Sequence, residues 1–117
     1  MVIPSRGWRA GVVAKIRMTY LTGVVLHAIA SGHRYGFDIM DATGIPDGTV
    51  YPALRRLAAA GLLEARWEDK AHATASNRPP RRYYQLTPEG SEAHAAALNR
   101  FPGIAHTFGP DEVDATT

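Results

Sequence analysis

The 117-residue chain contains no cysteine, which excludes disulfides, thiolate nucleophiles and thiolate metal sites. No apolar run approaches the roughly 20 residues that span a bilayer, and residues 1–15 lack the apolar core of a signal peptide. The expectation is a cytoplasmic protein that does not enter a membrane. A catalytic constellation is also missing. His27, His33, His72, His94 and His106 are scattered without metal-site spacing, and Asp38 and Asp41 read as a solvated face of one short helix. There is no Gly-rich phosphate loop and no Ser/His/Asp grouping. Neither an enzyme, a metal nor a cofactor is therefore expected.

Net charge is small at +2, but it is unevenly spread. All 13 Lys and Arg lie at or before Arg100 with eight of the 11 Asp and Glu, leaving +5 there, whereas Asp111, Glu112 and Asp114 give the tail −3. A basic body with an acidic tail suits a polyanionic partner. The length is that of one small domain, of the size that often gains stability by dimerising.

The most informative stretch is Asp47–Leu63. Val50, Leu54 and Leu57 recur at spacings of four and three, which predicts a helix with one apolar stripe. Asp47 is expected to cap its start and Gly61 to end it. The opposite face carries Gly48, Pro52, Arg55, Arg56 and Ala59, flanked by Thr49 and Tyr51. It has no acid after Asp47. Small residues permit close approach to a major groove, and arginines reach base edges or phosphates. An ordinary solvated helix with two surface arginines would carry the same pattern, so the surrounding elements decide.

Those elements are a broad apolar helix over Arg17–Ser31, a short helix over Tyr35–Ala42 and a break at Thr43–Pro46. The first is apolar through Leu21, Val24, Val25, Ala28 and Ile29, so it either sits centrally or meets a second copy of the chain. In the second, Tyr35 and Ile39 face the core, with Phe37 and Met40 also available to it. A short helix, a Gly-containing turn and the Asp47 helix make a helix-turn-helix. After Gly61 the period drops to two. Leu63, Ala65 and Trp67 point inward and alternate with Glu64, Arg66 and Glu68, and a second strand follows over Arg81–Leu86. Between them Asp69–Pro80 is loop-like in composition. Such a hairpin is a wing, whose Lys70, Arg78, Arg81 and Arg82 are expected at phosphates or the minor groove. Thr87-Pro88-Glu89 starts a final helix reaching Arg100. The fold class is mainly α with a small β wing: a winged helix-turn-helix.

The residues Tyr35-Gly36, the block Gly48–Leu57, Gly61-Leu62-Leu63, Trp67 and the block Arg81–Gly90 together resemble the PadR family of bacterial transcriptional regulators. The resemblance implies a homodimer on palindromic operator DNA, usually a repressor and often released by a small molecule. Thr49, Tyr51, Pro52 and Arg55 would lie nearest the double-stranded DNA, with Arg81 and Arg82 at the wing. Only one short helix follows the wing, as in a shorter subgroup whose first and last helices build the dimer. The implied organisation is an N-terminal arm (1–16), the winged domain with its flanking dimerisation helices (17–100) and a flexible acidic tail (101–117). A small aromatic effector, if held at such an interface, would meet Trp8, Met18, Tyr20 and Phe101. The competing reading is a winged-helix protein-interaction module without DNA readout.

Overall fold

The computed structural model describes residues 18–107 and is mainly helical, with one two-stranded antiparallel sheet. The expected N-terminal arm, Arg17 and residues 108–117 of the expected tail lie outside the described residues. The first helix, α1 (Tyr20–Ala30), begins later than its apolar pattern suggests, because Thr19 is extended and its hydroxyl accepts the Thr22 N–H at 3.1 Å. Val24, Val25, Leu26, Ala28 and Ile29 are buried, so α1 is the central helix, packed on every other helix of the core. Tyr20 and Leu21 remain exposed at its start.

Helix α2 (Gly36–Thr43), a turn and helix α3 (Asp47–Ala59) form the helix-turn-helix. Thr43 stitches the turn: its hydroxyl donates to the Ile39 carbonyl at 2.7 Å and accepts the Ile45 N–H at 3.1 Å. Gly44 takes the left-handed conformation that reverses the chain, at φ 77°. One expected detail fails here. The cap of α3 is Pro46, extended at φ −72° and ψ 160°, and Asp47 is already the first helical residue and makes no capping bond. Its carboxylate acts instead as a charge beside the helix N-terminus. Val50, Leu54 and Leu57 are buried as their spacing predicts. At the far end the Leu62 N–H donates to the Leu57 carbonyl and the Gly61 N–H to that of Ala58, both at 3.0 Å, a Schellman close around a left-handed Gly61.

Strands β1 (Leu63–Trp67) and β2 (Arg82–Leu86) pair in the register Leu63–Leu86, Ala65–Tyr84 and Trp67–Arg82. Leu63 and Tyr84 enter the core, but Trp67 is 61% exposed: its strand has run past the core edge. The far side of β2 is also engaged, since the Tyr84 N–H donates to the Arg34 carbonyl at 2.8 Å and Tyr35 bridges Tyr83. Between the strands, the expected loop contains a helix, α4 (Lys70–Ala75), with Ala73 buried. Three alanines in six residues supply the propensity, and Asn77, left-handed at φ 61°, closes it with the same bonds that end α3.

Helix α5 (Pro88–Arg100) starts at Thr87, whose hydroxyl accepts the Gly90 N–H at 3.0 Å and donates to the Gly61 carbonyl at 2.7 Å. One side chain thus ties the start of α5 to the end of α3. The small residues of α5 let it come close: a Cβ on Gly90 would run into the Leu62 carbonyl. On the facing α1, a Cβ on Gly23 would stand 2.7 Å from Ile104 Cδ1 and 3.1 Å from Ala97 Cβ. The tail expected from Phe101 onward is in part ordered core. Pro102–His106 form a 3₁₀ turn that buries Ile104 completely against α1 and α5. Among the described residues, no helix is long and apolar enough to cross a membrane.

Candidate nucleic-acid interface

The surface opposite the core stripe of α3 carries the residues singled out from sequence. Gly48, Arg55 and Arg56 are exposed, Thr49 and Pro52 are half-buried, and Tyr51 is 41% exposed. Tyr51 is seated by its neighbour in α2. The Gly36 backbone lies so close to the Tyr51 ring that a Cβ there would collide with Cε1, Cζ and the hydroxyl. Pro52 removes the amide donor that would meet the Gly48 carbonyl, loosening the first turns of the helix where small residues make the face thinnest.

The wing contributes its own cations, each placed by an aromatic ring. The Arg81 guanidinium lies 4.1 Å from the centroid of Tyr35, which in turn meets Tyr83 edge to face at 5.5 Å. Arg82 sits 5.1 Å from the centroid of Trp67, its cross-strand partner. Stacking on an aromatic face holds a guanidinium in place while leaving its N–H edge free to donate. Among the described residues, Arg55, Arg56, Arg81 and Arg82 have no carboxylate within ion-pair distance.

Arg78 differs. Its Nη1 and Nη2 donate to Glu68 Oε1 and Oε2 at 2.5 and 2.8 Å, and the Arg81 N–H donates to the same carboxylate at 3.1 Å. The Glu68 side chain is only 5% exposed. The Arg78 hydrogen bonds lead the effects that hold the Glu68 carboxyl down at about 2, and the same pairing raises Arg78. Arg78 therefore clamps the base of the wing, and its charge is already neutralised. Glu68, expected to face solvent, is the buried half of that clamp. Lys70 is exposed on α4.

Between α2, α3 and the wing opens a cavity of about 700 Å³, lined by Phe37, Tyr51, Trp67, Arg55, Arg81 and Pro79 among others. Phe37, counted from its spacing as available to the core, is 66% exposed at its rim. Sequence reasoning placed the arginines here but missed Phe37, Trp67 and Glu68. A tryptophan at the end of a strand pattern, one residue before a loop, was the available signal. The aromatic residues expected around an effector sit elsewhere. Met18 is half-buried against the core, and Tyr20 meets Phe101 edge to face at 5.8 Å, beside the start of α1 and the end of α5; Trp8 is outside the described residues. No group of three or more His, Asp or Glu among the described residues is arranged to hold a metal ion.

Comparison with known proteins agrees with this geometry. A family model described as the transcriptional regulator PadR-like family matches residues 25–96, more than half of the chain. A PadR family regulator from Clostridium difficile superposes with a TM-score of 0.62 at 20% identity, over 75% of this chain and 93% of that one. A PadR-like regulator from Bacillus cereus gives 0.55 at 26% identity, over 74% and 85%. Bordetella bronchiseptica BpsR, whose DNA binding is regulated by 6-hydroxynicotinic acid, gives 0.61 at 23% identity, over 94% and 77%. No curated protein matches in sequence. With a winged helix-turn-helix, a basic reading face and a family model over most of the fold, the chain belongs to the PadR-like transcriptional regulators, DNA-binding proteins rather than enzymes.

Proposed function

We propose that this regulator acts in the cytoplasm as a homodimer that binds palindromic operator DNA and represses the genes beside it. In this reading α3 lies in the major groove, with Gly48, Thr49, Tyr51 and Pro52 against base edges and Arg55 and Arg56 at bases or phosphates. Arg81 and Arg82 reach the flanking backbone from the wing, and Arg78 serves them from behind by fixing the wing base. The observation that carries the proposal is the cluster of arginines on α3 and the wing with no carboxylate partner among the described residues. Set against DNA, arginines of this kind neutralise phosphates and release the counterions condensed on the duplex.

The exposed pair Tyr20 and Leu21 on α1, next to Phe101 at the end of α5, supports a second copy meeting these two helices. Such an arrangement matches the shorter subgroup of the family. Release by a small aromatic effector is part of the proposal, supported by the regulation of the structurally similar BpsR by 6-hydroxynicotinic acid. Genome-wide DNA selection with the purified protein at rising salt tests the whole. Enrichment of one palindrome that survives added salt is expected. Weak, uniform, salt-sensitive binding would favour an interaction module over an operator reader.

A further inference from the structure

The end of α3 and the start of α5 meet at a joint that does more than close each helix. Just past α3, two consecutive carbonyls turn to Thr87. That of Leu62 accepts the Thr87 N–H at 3.1 Å, and that of Gly61 accepts its hydroxyl at 2.7 Å. The same hydroxyl accepts the Gly90 N–H at 3.0 Å and so caps α5. Gly90 itself lies so close to the Leu62 carbonyl that a Cβ there would collide with it. One residue further along each segment the wing begins, since Leu63 pairs with Leu86. The reading helix, the wing and the last helix thus share one anchor.

The rest of what holds α5 is less directional. The residues it buries are Gly90, Ala93 and Ala97, and α1 offers Gly23 opposite Ala97. Small side chains allow close approach, but they interlock less than long ones, so packing alone fixes the tilt of α5 weakly. The 3₁₀ turn pins the far end of α5 through the buried Ile104. At the near end the hydrogen bonds of Thr87, which demand defined distances and angles, set the angle between α5 and α3.

We infer that Thr87 is a positioning residue for operator spacing: it fixes the angle of α3 to α5, and so the separation of the two α3 helices in the dimer. The inference rests on the homodimeric operator-binding reading proposed above. A two-fold reader needs its recognition helices roughly 34–36 Å apart, one turn of DNA, and respacing the half-sites by one base pair moves the target by about 3.4 Å. A change of angle at the joint is repeated in the second protomer, so a loose joint admits spacings that a fixed one rejects. Thr87 acts through α3 and not by contact with a base.

Two measurements on the full chain test this, with variants that separate the bonds. Thr87→Ser keeps both hydroxyl bonds. Thr87→Asp keeps an acceptor for the Gly90 N–H but loses the donor to Gly61, and Thr87→Val loses both. The first measurement needs no DNA. The chain has no cysteine, so Ala59→Cys at the exposed end of α3 carries one spin label per protomer, and double electron–electron resonance reads the distance between the two. Wild type and Thr87→Ser should give one narrow distribution, Thr87→Asp and Thr87→Val a broader one. The second measures binding to the selected palindrome with its half-sites respaced by one base pair either way. Wild type and Thr87→Ser should prefer the original spacing by at least about tenfold, Thr87→Asp and Thr87→Val by about threefold or less, as expected when one hydrogen bond per protomer is lost. Unchanged label distances and spacing preference in Thr87→Val would overturn the inference. So would equal weakening at every spacing, or wild-type behaviour of Thr87→Asp, which would assign the effect to the helix cap alone. Absence of any distance between labels in the wild type would show a monomer and overturn the dimer reading together with the inference. Broadening in a dimer that selects no palindrome would uphold the joint and fail the operator reading alone.

Discussion

Gly36 and Glu68 show how single residues prepare this surface. The Gly36→Ala side chain would enter the space of the Tyr51 ring, but that ring end is free to swing toward solvent. Alanine also favours the helix, so stability should stay within about 1 kcal/mol of wild type. DNA affinity should nonetheless fall several-fold, because Tyr51 leaves its seat; thermal melting and binding isotherms on one preparation check both halves. Glu68 holds its charge to lower pH than a solvent-facing acid does. Its carboxyl is held at about 2 against an ordinary 4.5, so the clamp stabilises the fold fully above about pH 4.5 and loses that contribution as pH falls toward 2. Glu68→Gln should lower the melting temperature at neutral pH, and the gap from wild type should close on acidification. A constant gap across that range would mean that Arg78 draws no benefit from the charge.

At the scale of elements, much could be read in advance. The period of α3, the Gly61 close and the Thr87-Pro88 start are local signals, written in residues a few positions apart, and the structure contains each of them. What stayed illegible depends on partners distant in sequence. Nothing near Glu68 announces Arg78, and the alternation that turned it outward breaks because a bidentate arginine partner outweighs pattern. Helix α4 was hidden by a composition of small polar residues that suits loops and short alanine helices alike. Phe37 followed the helical spacing of its neighbours, yet α2 is too short and too near the edge to bury every apolar side chain.

Ile104 is the clearest omission of this kind. A sequence of Pro, Gly and acids read as tail, but the 3₁₀ turn docks Ile104 on Gly23 and Ala97, where the absence of larger side chains leaves room. Ile104→Ala should cost about 2–5 kcal/mol in denaturant unfolding, the usual cost for emptying a closed site. A cost near zero would show that the turn is not part of the cooperative core. The same α1–α5 contact carries a titration. His27 Nδ1 and His94 Nε2 are 2.9 Å apart and their rings stack, and burial, followed by the charge of His27, lowers the pKa of His94 below its ordinary 6.5. The native state therefore takes up its proton later than the unfolded chain, and stability should fall as pH drops below about 6.5. His94→Gln should flatten that part of the stability profile; an unchanged profile would remove His94 as its source.

Across the whole molecule, one division organises the rest. A central α1, closed by α5 and the 3₁₀ turn, holds a rigid core, and the helix-turn-helix and wing present their cations on the side away from it. The basic body of the sequence and the apolar period of α3 foretold that division. The aromatic cavity within the reading face emerges only when α2 and the wing are brought together. Whether α3 reads DNA through this face is decided by the salt dependence of binding to the selected DNA for wild type and Arg55→Ala/Arg56→Ala. Loss of affinity is expected, with the slope of log affinity against log salt reduced by roughly one for each phosphate contact removed. Affinity and slope both unchanged would take α3 out of the DNA interface.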